Sequence, residues 1–246
     1  MDQISSAINQ FEQTHNDFTD PVTTLQWVTS QFDCDKIVMG TGLGAPGVAL
    51  LDMLKKVNPN ITVFYIDTGL LFKETYDLKN RLENHYKMQF NRVSTDISLE
   101  QQKEVYGDEL WRRDPNLCCN IRKVLPLKKV LENAEVWITG IRRFQTKHRK
   151  NSQVIEYDDR FGVTKVNPLI YWTHDQVWDY IKTHDLPFNE LHKQGYPSLG
   201  CFHCTSPVND GEDDRSGRWK GSGKTECGLH FTQENGKFKV VKTGDN

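Results

Sequence analysis

The chain has 246 residues, of which 37% are hydrophobic and 26% are charged, a composition typical of a globular protein with a well-charged surface. It carries 31 basic and 33 acidic side chains, and a formal net charge of −2 argues against the polycationic surface with which proteins bind nucleic acid. No apolar run approaches the roughly 18 residues of a membrane span and no apolar leader follows Met1, so we expect a cytoplasmic protein without a membrane or nucleic-acid partner.

Apolar periodicity and turn residues predict alternating helices and strands. Asp20 followed by Pro21 indicates a helix start, because aspartate caps the first amides and proline is tolerated at the first helical position. Short apolar runs bounded by glycine or aspartate predict buried strands, and amphipathic runs predict helices. In chain order we predict helix 21–31, strand 36–39 stopped by Gly40, helix 48–54, strand 61–66, helix 73–86, strand 89–93, helix 98–105, helix 125–131 continuing from near 118–119, strand 136–140 and helix 173–182.

This order of elements predicts an α/β fold with a mainly parallel, doubly wound sheet covered on both faces. Ligands of such sheets bind beyond the carboxyl ends of the strands, where the segments 40–47, 67–69 and 140–143 are expected to lie. After Gly195 the strand–helix pattern stops, and glycines interrupt a polar stretch. We therefore predict an α/β domain over 1–204 and an irregular, mobile, glycine-rich tail over 205–246.

Four of the six cysteines form two close pairs. Cys118 and Cys119 are adjacent, and Cys201 and Cys204 are separated by Phe202-His203. Two such pairs brought together supply four thiolates, and the residues alone leave a structural zinc and an iron–sulfur cluster equally open. Structural disulfides are disfavoured by the reducing compartment that we expect for this chain.

The two other cysteines stand alone. Cys227 lies in the glycine-rich tail, and an unpaired thiol on a mobile segment is a candidate nucleophile. Cys34 precedes an apolar run and is expected to be a packing residue. His230, three residues after Cys227, would lower the pKa of that thiol or help to dock a partner protein.

A glycine turn and local clusters of basic residues indicate a small anionic ligand. The turn 40–47 joins a strand to a helix start, where Thr41 and the backbone of Gly42 and Gly44 would bind a phosphate. The turn has neither the Walker pattern nor G-x-G-x-x-G, so alone it is a weak signal. The basic residues are concentrated at Arg122, Lys123, Arg142, Arg143, Lys147, Arg149, Lys150, Arg215 and Arg218. Solvated charged faces remain the alternative for any one cluster.

Four segments together carry a family resemblance. They are CCNIRKVLPL (118–127), WITGIRRFQ (137–145), GCFHCT (200–205) and ECGLH (226–230). They resemble the assimilatory adenylylsulfate reductases, the iron–sulfur branch of the adenylylsulfate and phosphoadenylylsulfate reductase family, over roughly residues 30–232. The resemblance implies an adenine nucleotide α-hydrolase-like fold, one [4Fe–4S] cluster instead of zinc, thioredoxin as electron donor, and sulfite and AMP as products in sulfate assimilation and cysteine biosynthesis.

Roles for individual residues follow from the same resemblance. The cluster ligands would be Cys118, Cys119, Cys201 and Cys204. Lys123 would lie near the cluster and the substrate, and the phosphosulfate would be bound by Arg142, Arg143, Arg215 and Arg218. Cys227 would attack the sulfur of adenylylsulfate and form an S-sulfocysteine, which thioredoxin then reduces.

Three alternatives accompany this interpretation. The glycine turn lacks the acidic residue common in adenylylsulfate-specific members, so the enzyme would also accept phosphoadenylylsulfate, whose extra 3′-phosphate meets no repulsion. A nucleotide-activating enzyme such as a tRNA thiolase would need a pyrophosphate loop that this chain lacks. A zinc-stabilised binding module would leave Cys227 and the arginines without a role. The oligomeric state is open, and a homo-oligomer is compatible with the sequence.

Overall fold

The computed structural model describes residues 20–230, and a six-stranded sheet runs through them. In chain order the strands are β1 (Ile37–Thr41), β2 (Thr62–Ile66), β3 (Asn91–Val93), β4 (Val136–Thr139), β5 (Ile155–Asp158) and β6 (Val163–Val166). Their order in the sheet is β3-β2-β1-β4-β6-β5, and all neighbours are parallel except the antiparallel pair β5–β6. The predicted α/β class with a mainly parallel sheet is therefore confirmed.

Eight α-helices surround this sheet in the described part of the chain. They are α1 (Pro21–Gln31), α2 (Ala45–Val57), α3 (Lys73–Tyr86), α4 (Leu99–Tyr106), α5 (Leu110–Arg113), α6 (Pro115–Cys119), α7 (Leu125–Leu131) and α8 (His174–Thr183). A π-helical turn, Asn120–Val124, joins α6 to α7. The predicted caps are present: the Asp20 carboxylate accepts the amides of Val22 and Thr23, and Thr173 forms a capping box with Gln176.

Apolar side chains cover both faces of the sheet. Ile37 and Met39 point into the larger core, with α1, α2, α3 and α8. Val38, between them, points to the opposite face, where Phe64, Trp137 and the helix α7 pack. This alternation follows from the pleat of a strand, and burial on both faces explains why the central strands β1, β2 and β4 are mainly apolar.

The predicted end of the first strand at Gly40 is wrong. Gly40 lies inside β1, where it pairs with Phe64 of β2 and Thr139 of β4. A Cβ at this position would lie 2.7 Å from Trp137 Nε1 and 2.9 Å from the Phe64 ring. Glycine is needed here because neighbouring aromatic side chains cross the strand, and the strand does not stop.

The hairpin β5–β6 was not predicted from the sequence. Its turn contains Gly162 at φ +69°, a left-handed conformation that favours glycine, and the two strands extend the sheet beyond β4. The tail was predicted to be irregular, and residues 205–230 contain no helix or strand longer than a single bridge. Residues 231–246 of that tail lie outside the described residues. Within 20–230, no helix has both the length and the apolar character needed to cross a membrane.

Candidate functional site

A cavity of about 330 Å³ lies beyond the carboxyl ends of β1, β2 and β4. The segments expected at this edge contribute to its wall, namely residues 40–42 and 44–47, Thr68 and residues 140–142. The position is the one at which parallel α/β sheets bind ligands, and the volume suits a small organic molecule.

The glycine turn forms one wall of the cavity. The Thr41 hydroxyl accepts the amide of Leu43 at 3.1 Å, which leaves its own proton available to a ligand. A Cβ on Gly42 or Gly44 would project into open space, whereas a Cβ on Gly47 would lie 2.5 Å from Thr41 Oγ1. The first two glycines thus leave room beside the start of α2, and Gly47 allows α2 to pack closely on β1.

Buried polar atoms without partners are concentrated in the residues that line this cavity. Nine buried side-chain nitrogen or oxygen atoms in residues 20–230 have no hydrogen-bond partner, and seven of them belong to residues in this wall. The seven are Trp137 Nε1, Arg142 Nε, His192 Nε2, Arg215 Nε, Arg218 Nε, Trp219 Nε1 and His230 Nδ1. Because an unpaired buried polar group costs about 1–3 kcal/mol, their concentration in residues around one cavity favours a polar ligand there.

Three of the four predicted arginines line the cavity. Arg142 is buried, and its Nη1 donates to the Trp172 carbonyl at 3.3 Å. Arg215 and Arg218 share the Ser198 hydroxyl, at 3.5 and 3.3 Å. Burial lowers the pKa of the Arg215 guanidinium to about 10, so it is still charged at neutral pH.

The fourth arginine points elsewhere. Arg143 Nε donates to the Ser152 carbonyl at 2.7 Å, its Nη2 donates to the Gln153 side chain at 3.1 Å, and its guanidinium lies 4.4 Å from the Tyr171 ring centroid. It is not among the residues of the cavity wall. These contacts fix Arg143 on the β5 side of the sheet, away from the position predicted for it.

The two adjacent arginines give a matched test of the cavity. We expect Arg142→Ala to weaken AMP binding about tenfold to a hundredfold, because a charge-assisted hydrogen bond contributes about 1.5–3 kcal/mol. Arg143→Ala should change the affinity less than about threefold, and titration calorimetry on both variants measures the difference. Equal losses in the two variants would contradict the placement of Arg142 and Arg143.

Cys227 also lines this cavity, next to a buried ion pair. The Glu226 carboxylate accepts Arg149 Nε and Nη2, both at 2.8 Å, and the Thr146 hydroxyl at 2.8 Å. Burial would raise the pKa of Glu226, but Arg149, Arg215 and Thr146 outweigh it and hold the pKa below its usual range. The ionised pair fixes the chain immediately before Cys227.

His230 is neutral in this arrangement. Its ring stacks on Trp137 with centroids 5.1 Å apart. Burial, followed by the positive charges of Arg149, Lys165 and other cations, places the pKa of His230 well below its usual value. A neutral imidazole supplies no positive charge to Cys227, so His230 contributes to the site through packing on Trp137.

The four paired cysteines line a second, smaller cavity with Leu70, Trp111, Arg122 and Lys123. The first pair ends α6, where the π-helical turn follows; such turns often mark functional sites. Cys201 forms a bridge with Leu71, and its Sγ lies 3.3 Å from the Thr68 hydroxyl. All four thiols are free of disulfides. The structure thus brings together two pairs that are far apart in sequence.

Electrostatics around this cavity depend on the charge state of the thiols. Burial, with the neighbouring cysteines, raises the pKa of Cys118 to about 12 and that of Cys204 to about 11. Burial would lower the pKa of Lys123, but Cys201, Cys119 and Cys227 outweigh it and raise the pKa. Three buried thiols and the half-buried Cys204, beside a buried cation, fit an all-thiolate metal centre, because metal binding deprotonates cysteine. In residues 20–230, however, no three His, Cys, Asp or Glu side chains are arranged as ligands of a single metal ion, so the cluster stays a prediction.

The fold and the first cavity define the adenine nucleotide α-hydrolase-like class. The FMN adenylyltransferase of Candida glabrata, at 17% identity, shares the fold with a TM-score of 0.55, covering 82% of this chain and 67% of that one. The phosphoadenylyl-sulfate reductase of Candida auris, solved as a phosphate complex, aligns with a TM-score of 0.70 and 29% identity, covering 82% of this chain and 96% of that one.

Sequence comparison identifies the family. The family model for the phosphoadenosine phosphosulfate reductase domain matches residues 36–207. A protein of Halalkalibacterium halodurans named adenosine 5′-phosphosulfate reductase is 44% identical over 232 residues, which cover 94% of this chain and 100% of that protein. Adenosine 5′-phosphosulfate reductase 2 of Bacillus subtilis is 44% identical over 220 residues, covering 89% and 93%. The chain belongs to the phosphoadenosine phosphosulfate reductase family and is an oxidoreductase.

Sequence reasoning missed several residues of the site. Trp137 and Trp219 line the cavity, and Glu226 fixes the tail through Arg149. Glu226 precedes Cys227 in the ECGLH segment, and an acidic residue beside a candidate nucleophile near many arginines was a usable signal. The tryptophans carried no such signal, because Trp137 lies at an apolar strand position of the kind usually buried in the core and Trp219 lies in the irregular tail.

Proposed function

We propose that the protein reduces adenylylsulfate to sulfite and AMP in cytoplasmic sulfate assimilation, leading to cysteine biosynthesis, with thioredoxin as the electron donor. One observation carries the proposal: Cys227, the glycine turn and three arginines lie around one cavity. The names of the Halalkalibacterium halodurans and Bacillus subtilis relatives support adenylylsulfate as the substrate.

The chemistry requires one thiolate and one external dithiol. The Cys227 thiolate attacks the sulfonate sulfur; a sulfur–sulfur bond forms, and the sulfur–oxygen bond to AMP breaks with its electron pair leaving on AMP. A thioredoxin thiolate then attacks Cys227 Sγ, and sulfite leaves with the electrons of the sulfur–sulfur bond. The second thioredoxin thiol resolves the mixed disulfide and releases the Cys227 thiolate. Two electrons pass from the dithiol to sulfur.

Positive charge around the cavity serves the first of these steps. The nucleotide and the attacking thiolate are both anionic, so they repel each other. Arg142, Arg215 and Arg218 provide guanidinium donors that neutralise a bound phosphosulfate. Lys123 lines this cavity and the cysteine cavity, so its ammonium lies between the nucleotide and the thiols. Thr41, with the backbone of Gly42 and Gly44, provides room and donors at the other wall.

The cysteine cavity is proposed to hold one [4Fe–4S] cluster. Cys118, Cys119, Cys201 and Cys204 would each ligate one iron, which suits adjacent cysteines better than a single tetrahedral zinc does. When bound, the cluster supplies a charged centre next to Lys123. The protein's own part is to gather the four thiols and to bury a compensating cation beside them.

Phosphoadenylylsulfate is the second candidate substrate. The Candida auris relative is named a phosphoadenylyl-sulfate reductase, and open space beside Gly42 and Gly44 leaves room for a further phosphate. Steady-state sulfite release from the two nucleotides, with thioredoxin and anaerobically purified protein, distinguishes the two specificities. We expect a higher kcat/KM for adenylylsulfate, with measurable turnover of the phosphorylated nucleotide.

The covalent intermediate gives the decisive test of the mechanism. Incubation with adenylylsulfate in the absence of thioredoxin should place a sulfonate adduct on Cys227, and peptide mass spectrometry locates it. Adding thioredoxin should remove the adduct and release an equivalent amount of sulfite. An adduct on Cys34, or turnover with no adduct on any cysteine, would refute the proposed mechanism.

A further inference from the structure

The tail is held on both sides of Cys227 by arginines from other parts of the chain. On the N-terminal side, Arg149 binds Glu226 as described above. On the C-terminal side, Arg160 Nη1 donates to the Gly228 carbonyl and its Nη2 to the Leu229 carbonyl, both at 3.0 Å. Arg160 belongs to the turn of the hairpin β5–β6, and it is not part of the cavity wall.

Arg160 is itself fixed in one orientation. Its Nε and Nη2 donate to the two Asp158 carboxylate oxygens at 2.9 and 2.6 Å, and Asp158 is buried. The guanidinium also lies 4.8 Å from the Phe161 ring centroid. A bidentate arginine–carboxylate pair fixes the plane of the guanidinium, so the remaining N–H groups point in a defined direction, toward the tail.

Apolar contacts keep the same part of the tail against the sheet. Leu229 packs on the core cluster that contains Val38, Phe64 and Trp137, and the His230 ring stacks on Trp137. Trp137 also meets Phe161 edge to face, at 5.9 Å between centroids. The hairpin turn and the end of the described tail therefore form one packed unit.

The backbone conformation of Gly228 links these contacts to the position of Cys227. Its φ of +88° lies in the left-handed region, and glycine has more backbone freedom to lose than any other residue. Without a partner for the carbonyls of Gly228 and Leu229, rotation at Gly228 would carry Cys227 away from the cavity. Two charge-assisted hydrogen bonds to consecutive carbonyls restrict that rotation.

We propose that Arg160 is a positioning residue, which fixes Cys227 over the nucleotide cavity for sulfur transfer. This role rests on the function proposed above and adds a residue that acts through the backbone of 228–229 without touching the nucleotide. Correct placement of a nucleophile accelerates an attack step strongly, and small displacements reduce the rate. Substitution of Arg160 should thus lower the rate of adduct formation and leave nucleotide affinity unchanged.

Single-turnover kinetics of Arg160→Ala and Arg160→Lys test this role. We expect the rate of Cys227 adduct formation to fall about tenfold or more in the alanine variant. The lysine variant keeps a positive charge next to Asp158, but one ammonium group cannot also reach the carbonyls of Gly228 and Leu229. Its rate of adduct formation should therefore lie between those of the wild type and the alanine variant. The AMP dissociation constant should stay within about twofold of wild type in both variants.

Two further measurements distinguish a positioning role of Arg160 from a general loss of structure in the variants. Thioredoxin-dependent sulfite release from preformed adduct should not slow, because that step needs Cys227 to leave the cavity. Alkylation of Cys227 in the absence of nucleotide, mapped by mass spectrometry, should become faster in both variants. Arg81→Ala is the matched control, since Arg81 also donates to a backbone carbonyl, that of Phe188 at 2.6 Å, and does not line the cavity.

The possible outcomes are distinct. Adduct rates within about twofold of wild type in both variants would overturn the role of Arg160, and so would a parallel loss of AMP affinity. If wild-type protein forms no adduct at all, the proposed function fails, and this role fails with it. Alkylation of Cys227 would then still report whether Arg160 holds the tail.

Discussion

Cys227→Ser is expected to abolish sulfite release from both nucleotides, with a loss on the order of a thousandfold or more. A serine hydroxyl is far less ionised than a thiol at neutral pH, and it cannot form the sulfur–sulfur bond that the reaction requires. AMP affinity should be unchanged, because Arg142, Arg215 and Arg218 provide the charged contacts of the cavity. Sulfite assays, calorimetry with AMP and iron analysis of the same preparation measure the three properties together.

The matched control is Cys34→Ser. Cys34 is a half-buried free thiol packed against the larger core, far in the fold from the nucleotide cavity wall. Turnover of the Cys34→Ser variant should stay within about twofold of wild type, with a small loss of folding stability from the packing change. Wild-type turnover in Cys227→Ser would contradict the assignment of the nucleophile.

Local sequence patterns were sufficient for most of the fold. The helix over 73–86 was predicted at both ends, because its amphipathic period is read from neighbouring residues alone. The three segments expected at the carboxyl edge of the sheet do meet there, since strand–helix repeats force parallel strands to end on one side. The cavity could therefore be located before any coordinates were known.

Features that depend on packing between distant residues could not be predicted. Gly40 resembles a strand terminator, but it is needed where Trp137 and Phe64 cross β1. The hairpin β5–β6 has short strands with charged positions, and Lys165 is buried only because Glu156 accepts its ammonium at 2.7 Å. Alternation of apolar and polar residues is thus obscured in both strands.

The direction of side chains was the second feature that the sequence could not predict. Arg142 and Arg143 are adjacent and chemically identical, yet only Arg142 lines the cavity, because successive side chains after a strand point to opposite sides. The contacts of Glu226 with Arg149 and of the tail with Arg160 join residues from distant parts of the sequence. Basic residues that look like one anion-binding cluster therefore also anchor the tail, and Arg149 and Arg215 do so from the cavity wall itself.

The arginines around the cavity serve two purposes. The cavity must attract an anionic nucleotide, and the tail must bring a thiolate next to it. Arg149 neutralises Glu226 in a buried bidentate pair, so that carboxylate adds little repulsion toward a bound anion. Arg142, Arg215 and Arg218 line the cavity, and Arg215 also contacts the tail at Glu226 and the Thr225 carbonyl. Arg149 and Arg215 therefore belong both to the cavity wall and to the contacts that hold the tail, whereas Arg160 holds the tail from outside the cavity wall.

The second large effect is expected at the cysteine cavity. Anaerobically purified wild-type protein should contain about four irons and four acid-labile sulfides per chain, as a [4Fe–4S] cube requires. Cys201→Ser should lose most of this iron and most of the sulfite release. Cys201 is buried beside the 70–71 segment and lines the cysteine cavity with Cys118, Cys119 and Cys204, so its loss removes one of the four proposed ligands.

Cys34→Ser again serves as the control, and it should keep the full iron and sulfide content. Thermal unfolding adds a readout that is independent of turnover: if the centre joins α6 to the turn at 201–204, its loss in Cys201→Ser should lower the melting temperature more than Cys34→Ser does. If the wild-type protein contains stoichiometric zinc and no sulfide, the proposed cluster is wrong and the four cysteines form a mononuclear zinc site. Unchanged iron content in Cys201→Ser would exclude Cys201 as a ligand, because three thiolates and a serine rarely hold a cube as firmly as four thiolates.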